Sequence, residues 1–498
     1  MSTRLQNNSV ERMKTYKLFL WFLTLTVTAT LSSCSENGNQ FNKEFAEVVV
    51  EKAWEKVPDV LSRIVPPEFP EVEYNILDYG AIPDGVTDCS AAINNAVKRC
   101  SQKGGGKVII PSGQYLSNGP IHLLSNVNLH ISKGAYIRFG TDPNFYTPLV
   151  LVRWEGTLCY NYSPLIYAFK QENIAVTGNG IIDGQTQGTW AKWKRGNDGK
   201  NQKADKKILR QFGNDVTPAE TRVFGNGLLD LNNDGEDDGH GEGKLHYLRP
   251  TTIEFMDCEN ILIEGVTLRN SPFWNVHPVF CRNVTIRNLN IEKGTTNDDG
   301  LDPDSCTDVL IENCTINTND DAIAIKAGRD QDAWDRPPAQ NIIIRNCNLN
   351  SGVNGFCIGS EMSGGVRNVF VYDNNILQAK RGINFKCNLD RGGQVENIYI
   401  KNINVGICTS ELFIFRMDYH GYRGNDYPTK FNDFYVTDIY CESIEGTAFK
   451  IVGVEAEHIK RVYLKNFEIG NTKEDFQIQF ADDILLNNIV IGGKIWVQ

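Results

Sequence analysis

From about residue 260 onward, apolar and polar positions alternate in short runs that recur down the chain. The unit is apolar-x-apolar-x-Asn-x-x-apolar. It reads Val284-Thr-Ile-Arg-Asn288-Leu-Asn-Ile, Val309-Leu-Ile-Glu-Asn313-Cys-Thr-Ile, Ile342-Ile-Ile-Arg-Asn346-Cys-Asn-Leu and Ile398-Tyr-Ile-Lys-Asn402-Ile-Asn-Val, with looser copies at 462–469 and 484–491. Its fifth position forms a column: Gly265, Asn288, Asn313, Asn346, Asp373, Asn402, Asp438, Asn466 and Asn488. Alternation with period two predicts strands. A recurrence of roughly 20–50 residues marks a solenoid. No amphipathic helix lies between the strands, so the pattern predicts an all-β, right-handed parallel β-helix rather than a leucine-rich or ankyrin array. Asparagine tolerates the left-handed conformation at a turn, and stacked amides can bond from coil to coil.

Two stretches have helical period instead. Residues 43–65 read as an amphipathic helix. The run from Ser90 to Arg99 reads as a second helix, placed to cap the first coil. Gly104-Gly-Gly lacks the spacing of a phosphate loop and reads as a turn. Residues 190–250 are polar and break the rhythm, an excursion from the coils. The domain reading is 1–33 leader, 34–70 tether and helix, and 71–498 solenoid. One solenoid accounts for a length of 498 residues, because each coil contacts only its neighbours.

The leader combines Lys14 and Lys17 with an apolar run from Leu18 to Leu31, then Leu31-Ser-Ser-Cys34. A basic start, a short apolar core and small residues describe a secretory signal. The last four residues resemble a bacterial lipobox, which implies cleavage before Cys34 and lipid on its sulfur. Ser35 then implies an outer-membrane lipoprotein, facing either side. The full chain carries 50 basic and 61 acidic residues, a net charge of −11. That balance disfavours nucleic acid as a partner. Twelve cysteines follow Cys34 without CxxC pairing, so a metal cluster is not indicated. Buried thiols are the plainer reading, although an exported chain could oxidise them.

Within the excursion, Asp230-Leu-Asn232-Asn-Asp234-Gly-Glu-Asp-Asp238 matches the first half of an EF-hand-type loop. Gly241 stands where the bidentate glutamate belongs, with Glu242 next. A structural calcium there is an expectation; catalysis needs no cofactor.

Three acids fall on similar sides of adjacent coils. Asp299 lies 11 residues past Asn288, and Asp320 and Asp321 lie 7 and 8 past Asn313. Stacked strands are about 4.8 Å apart, so the carboxylates gather within one to two coil spacings. The following coils add Asn384 and Lys386 to the stripe. Turn-capping aspartates are common, but three acids and a cation in one stripe favour chemistry. Inverting glycoside hydrolysis needs two carboxyls roughly 6.5–9.5 Å apart.

These motifs resemble glycoside hydrolase family 28, the polygalacturonase and rhamnogalacturonase family. The matching stretches are Asn297-Asp-Asp299-Gly-Leu-Asp302, Asn319-Asp320-Asp321-Ala-Ile-Ala-Ile-Lys326-Ala-Gly-Arg, Ile358-Gly-Ser-Glu-Met and Arg381-Gly-Ile-Asn384-Phe-Lys386, with Asn270-Ser-Pro-Phe-Trp274-Asn-Val-His277 in the bacterial manner. The resemblance covers about residue 73 to the C-terminus. It implies that Asp320 is the general acid and that Asp299 and Asp321 hold and deprotonate the attacking water. It implies that Lys386 faces a sugar carboxylate. Asn384, Arg381, Lys326, Asp302, Trp274 and His277 are expected at the substrate, with Arg329 and Arg391 as further cations.

Two positions depart from the family. Its Gly-His-Gly falls on Gly352-Val353-Asn354, and the arginine of its Arg-x-Lys falls on Asn384. Losing a bidentate carboxylate partner implies a leaving-group sugar other than galacturonic acid. The expected activity is therefore hydrolysis of an α-galacturonosyl bond in pectin, exo-acting and on rhamnogalacturonan-type oligosaccharides, by a monomer held to the membrane by lipid. The rivals are a calcium-dependent pectate lyase on the same architecture and a non-catalytic pectic-glycan-binding protein.

Overall fold

The computed structural model describes residues 41–197, 199–232, 234–238, 246–419, 424 and 427–496. The leader, Cys34 and Ser35, and Gly241 and Glu242 at the end of the acidic loop, lie outside these residues.

The chain winds into a right-handed parallel β-helix. One face stacks Val284, Val309, Ile342, Val369, Ile398, Phe434, Val462 and Ile484 in register from coil to coil. A second stacks Leu268, Ile291, Ile316, Leu349 and Ile376. A third runs Ile323, Phe356, Ile383, Phe413, Phe449 and Phe476. All three rows point inward and form one continuous core.

The column of Asn, Asp and Gly is left-handed at every position, from Gly265 (φ 80°) to Asn488 (φ 57°). A companion column lies five residues earlier, at Asn260, Asn283, Asp308, Asn341, Asn368, Asn397, Asp433, Arg461 and Asp483, also with positive φ. Each strand of this face is thus bracketed by two left-handed corners. The side chains bond up the stack: Asn283 Nδ2 donates to Asn260 Oδ1 at 2.8 Å and Asn488 Nδ2 to Asn466 Oδ1 at 2.9 Å. Amides paired this way satisfy one another's polar groups at the corners they join.

Helix α1 (Lys43–Trp54) starts at Asn42, whose side chain accepts from the Phe45 amide. Helix α2 (Val57–Arg63) follows with proline in its first turn. The pair lies along the outside of the coils. Ala46, Ala53, Val57 and Val60 pack on Leu310, Ile343, Phe370, Tyr399, Tyr435 and Tyr463. Helix α3 (Ser90–Gln102) covers the first coil with Ile93, Ala96 and Val97. Gly105 and Gly106 form the turn after it; a Cβ on either would lie 2.5 Å from a carbonyl oxygen, of Asn126 or Val72. The twelve cysteines from Cys89 to Cys441 are buried free thiols.

The excursion is partly helical: α4 (Thr189–Arg195) and α5 (Lys203–Asn214). An antiparallel hairpin, Val150–Trp154 with Thr157–Asn161, also leaves the coils. Buried ion pairs clamp it down, Arg153 to Asp304 at 2.9 Å and, beside it, Arg222 to Asp332 at 2.8 Å. At its tip Gly156 has φ 83°, and a Cβ there would meet Glu361 Cγ at 2.7 Å. Hairpin, excursion and coils therefore touch at one place.

Candidate active site

That place is a pocket of about 190 Å³. Asp299, Asp320 and Asp321 line it, each with an oxygen within 4.8 Å of the others. Backbone bonds fix the loop that bears them. Asp298, buried beneath, accepts from the amides of Gly294, Asn319 and Asp320. Thr318 and Ser351 hydroxyls donate to the Asp320 carbonyl at 2.8 and 2.6 Å.

The three acids have different surroundings. Asp321 is 1% exposed. Its Oδ2 accepts from Lys386 Nζ at 2.6 Å and from the Cys357 thiol at 3.2 Å, and its Oδ1 from Asn354 Nδ2 at 2.5 Å. Burial opposes its charge, yet Lys386 and Lys326 outweigh burial and hold the carboxyl below its ordinary value. Burial and the neighbouring Asp321 push Asp320 up to about 6. Burial and Asp320 push Asp299 up as well. Crowded carboxylates titrate jointly, so Asp299 and Asp320 are both biased toward the protonated form while Asp321 is favoured as the anion. The nearest oxygens of the three acids thus lie within about one coil spacing of one another.

Of the other expected residues, Lys386, Lys326 and Trp274 line the pocket. Lys326 stands 3.4–3.6 Å from Glu361, Asp302 and Asp299, and 4.5 Å over the Trp274 ring. It acts as the counter-ion of the acid cluster. Arg329 also lines the pocket, paired with Glu361 at 3.0 Å.

Five expectations are corrected. Asn384 is buried behind Asp321, where its amide donates to Asn354 Oδ1 at 2.9 Å. Arg381 points away and pairs with Glu411 at 2.9 Å. Asp302 is fully buried under Lys326, and burial pushes its carboxyl up to about 7. His277 is buried below Trp274, between Glu254 (3.5 Å) and Asp304 (3.3 Å). Burial opposes its charge, but Glu254 and Asp304 push the imidazole up to about 9. Arg391 is buried on Asp330 at 2.5 Å. None of the five lines the pocket.

In the acidic loop, the carboxylates face backbone amides. Asp230 accepts from Asp234 and Gly235, Asn232 from Asp234, Asp234 from Glu236, and Asp238 from Leu231. Among the described residues, the acid triad is the one group of three or more His, Cys, Asp or Glu ligands that converges. The far end of this loop, with Gly241 and Glu242, lies outside the described residues.

Several lining residues escaped the sequence reading. Glu155 sits at the hairpin tip, and Lys194, Lys206 and Arg210 come from α4 and α5. Lys206 and Arg210 meet Glu155 at 2.7 and 3.0 Å. Their i, i+4 spacing on a polar helix was the available signal. Asn297 is oriented by Lys194 and Arg249, which both donate to its Oδ1, so its Nδ2 turns to Asp320 at 3.4 Å.

Known proteins resemble this chain over most of its length. The model of "Glycosyl hydrolases family 28" matches residues 213–482, more than half of the chain. That of "Rhamnogalacturonase A/epimerase, pectate lyase-like" matches residues 74–132. A probable polygalacturonase of Vitis vinifera is 30% identical over 66% of this chain and 60% of its own length. An exo-poly-alpha-D-galacturonosidase of Dickeya chrysanthemi is 27% identical over 85% of this chain and 72% of its own. The crystal structure of a hyperthermoactive exopolygalacturonase from Thermotoga maritima has a TM-score of 0.82 and 36% identity, over 90% of this chain and 97% of that one. The chain belongs to glycosyl hydrolases family 28.

Proposed function

We propose that the protein is an inverting hydrolase that removes terminal α-galacturonosyl residues from pectic chains. The observation that carries this reading is the split between two adjacent residues. Asp320 holds a proton in the mildly acid range, while Asp321 is kept ionised by Lys386 and Lys326. An acid and a base from like groups, separated by environment, is what glycosidic cleavage requires. Asp320 gives its proton to the glycosidic oxygen. Asp321 draws the proton from a water on the opposite face of the sugar, and Asp299 helps to hold that water. Lys326 limits the charge of the cluster as the proton leaves.

Exo action is supported by the walls. The pocket is smaller than the roughly 300 Å³ lower bound of drug-sized sites, and the hairpin and excursion bound it. The Thermotoga and Dickeya relatives carry exo-type names. A second reading concerns the leaving sugar. Asn384 places a neutral amide behind Asp321 where the family motif has an arginine, and Val353 stands where it has a histidine. That favours a leaving sugar without a carboxylate, as in rhamnogalacturonan. Digestion of defined homogalacturonan and rhamnogalacturonan oligosaccharides tests both. Single terminal residues released from either support exo action; mid-chain cleavage contradicts it. Equal rates on both contradict the second reading.

The address is proposed from sequence alone: an outer-membrane lipoprotein modified at Cys34. Cys34→Ser should release the protein from the membrane fraction; unchanged fractionation would contradict the proposal.

A further inference from the structure

We propose that Lys194, on α4 of the excursion, reads the carboxylate of the sugar seated in the pocket. This deepens the galacturonoside reading and rests on it.

The other cations lining the pocket already face acids. Lys206 and Arg210 meet Glu155, Arg329 meets Glu361, Lys326 stands among Asp299, Asp302 and Glu361, and Lys386 is bound to Asp321. Lys194 differs. Among the described residues its partner is the neutral amide oxygen of Asn297, at 2.5 Å. It shares that oxygen with Arg249, which donates to it at 2.8 Å. Arg249 is fully buried, and its other donors reach neutral oxygens of Gln202, Pro272 and Thr296. Among the described residues neither cation is hydrogen-bonded to an acid, although Glu155 and Asp320 act on both from nearby, and Lys194 is the one that lines the pocket.

Position gives the ligand. Asn297 Nδ2 lies 3.4 Å from Asp320 Oδ2, so Lys194 is two hydrogen bonds from the proposed acid. A carboxylate held there belongs to a sugar at the scissile bond. Burial and Arg249 push the Lys194 ammonium down to about 8. A bound carboxylate would relieve that strain. The ligand class is a uronate; a neutral hexose offers Lys194 no charge. Neither the family motifs nor the coil stripe contains this lysine, since it comes from the excursion.

The test uses the full chain. Asp320→Asn stops turnover and allows trigalacturonate binding to be measured by calorimetry, with and without Lys194→Gln. Losing one charge-assisted contact should weaken binding roughly 10–100-fold. Lys194→Arg should retain most of the affinity. A carboxyl-reduced trisaccharide should bind both proteins equally. In the chain with Asp320 intact, Lys194→Gln should raise KM far more than it lowers kcat. Equal trigalacturonate affinity with and without Lys194 overturns this inference and leaves the hydrolase reading standing. Lys194-dependent binding by a chain that cleaves no galacturonide overturns the hydrolase reading and leaves Lys194 in place. Absence of binding to either protein overturns both.

Discussion

Lys386 Nζ lies 2.6 Å from Asp321 Oδ2, and both side chains are almost fully buried. The two residues come from different coils, 65 positions apart. Breaking a buried pair by removing one partner leaves an uncompensated charge and costs about 3–5 kcal/mol. Lys386→Met should therefore lower stability by that order. It should also raise the Asp321 pKa, since an ion partner that favours the carboxylate is gone. The acid limb of the kcat/KM profile should move to higher pH. A profile unmoved by the substitution would separate Lys386 from the base.

Asp320 titrates in the opposite sense. Its folded pKa, about 6, lies above the ordinary aspartate value near 3.9. Between those values the folded state holds more protons than the unfolded state, so this residue lowers stability as pH rises. Asp320→Asn should lose roughly 10²–10⁴ in kcat. It should also melt higher than the parent chain above pH 6, with the advantage vanishing toward pH 4. The pairing of lost activity with gained stability separates a catalytic acid from a structural one.

The two candidate bases are unequal. Asp321 is stabilised as an anion, whereas burial and Asp320 push Asp299 toward the protonated form. Asp321→Asn should cost more in kcat than Asp299→Asn. Equal losses would mean that both act as one base.

Asp298 touches no substrate position but holds the loop of Asp320 through three backbone amides. Asp298→Ala should lower kcat with little change in KM, and its pH profile should shift with the displaced acid. A profile unchanged apart from scale would assign it a purely structural role.

Much of this was legible in the sequence. The Asn288 column announces itself because only a few residue types accept a left-handed corner. Its companion at Asn283 carries the same signal five residues earlier. The covering of the outer face by α1 and α2 also left a trace. Phe370, Tyr399, Tyr435 and Tyr463 put aromatics at outward positions that alternation should make polar. The acid triad was found because two motifs fall at similar offsets in adjacent coils. The wall of the pocket was not. Glu155 and Lys206 are 51 residues apart, joined by no period, and meet only when hairpin and excursion fold over the coils. His277 and Asp302 were misplaced for a related reason: coil offset gives the side of the stack but not the depth.

The most direct measurement is the product of trigalacturonate, or of a rhamnogalacturonan oligosaccharide, followed by proton NMR in the first minutes of reaction. The account expects a saturated terminal galacturonic acid of inverted anomeric configuration, formed by the parent chain and not by Asp320→Asn. A retained anomer, an unsaturated product, or unchanged turnover by Asp320→Asn would contradict it.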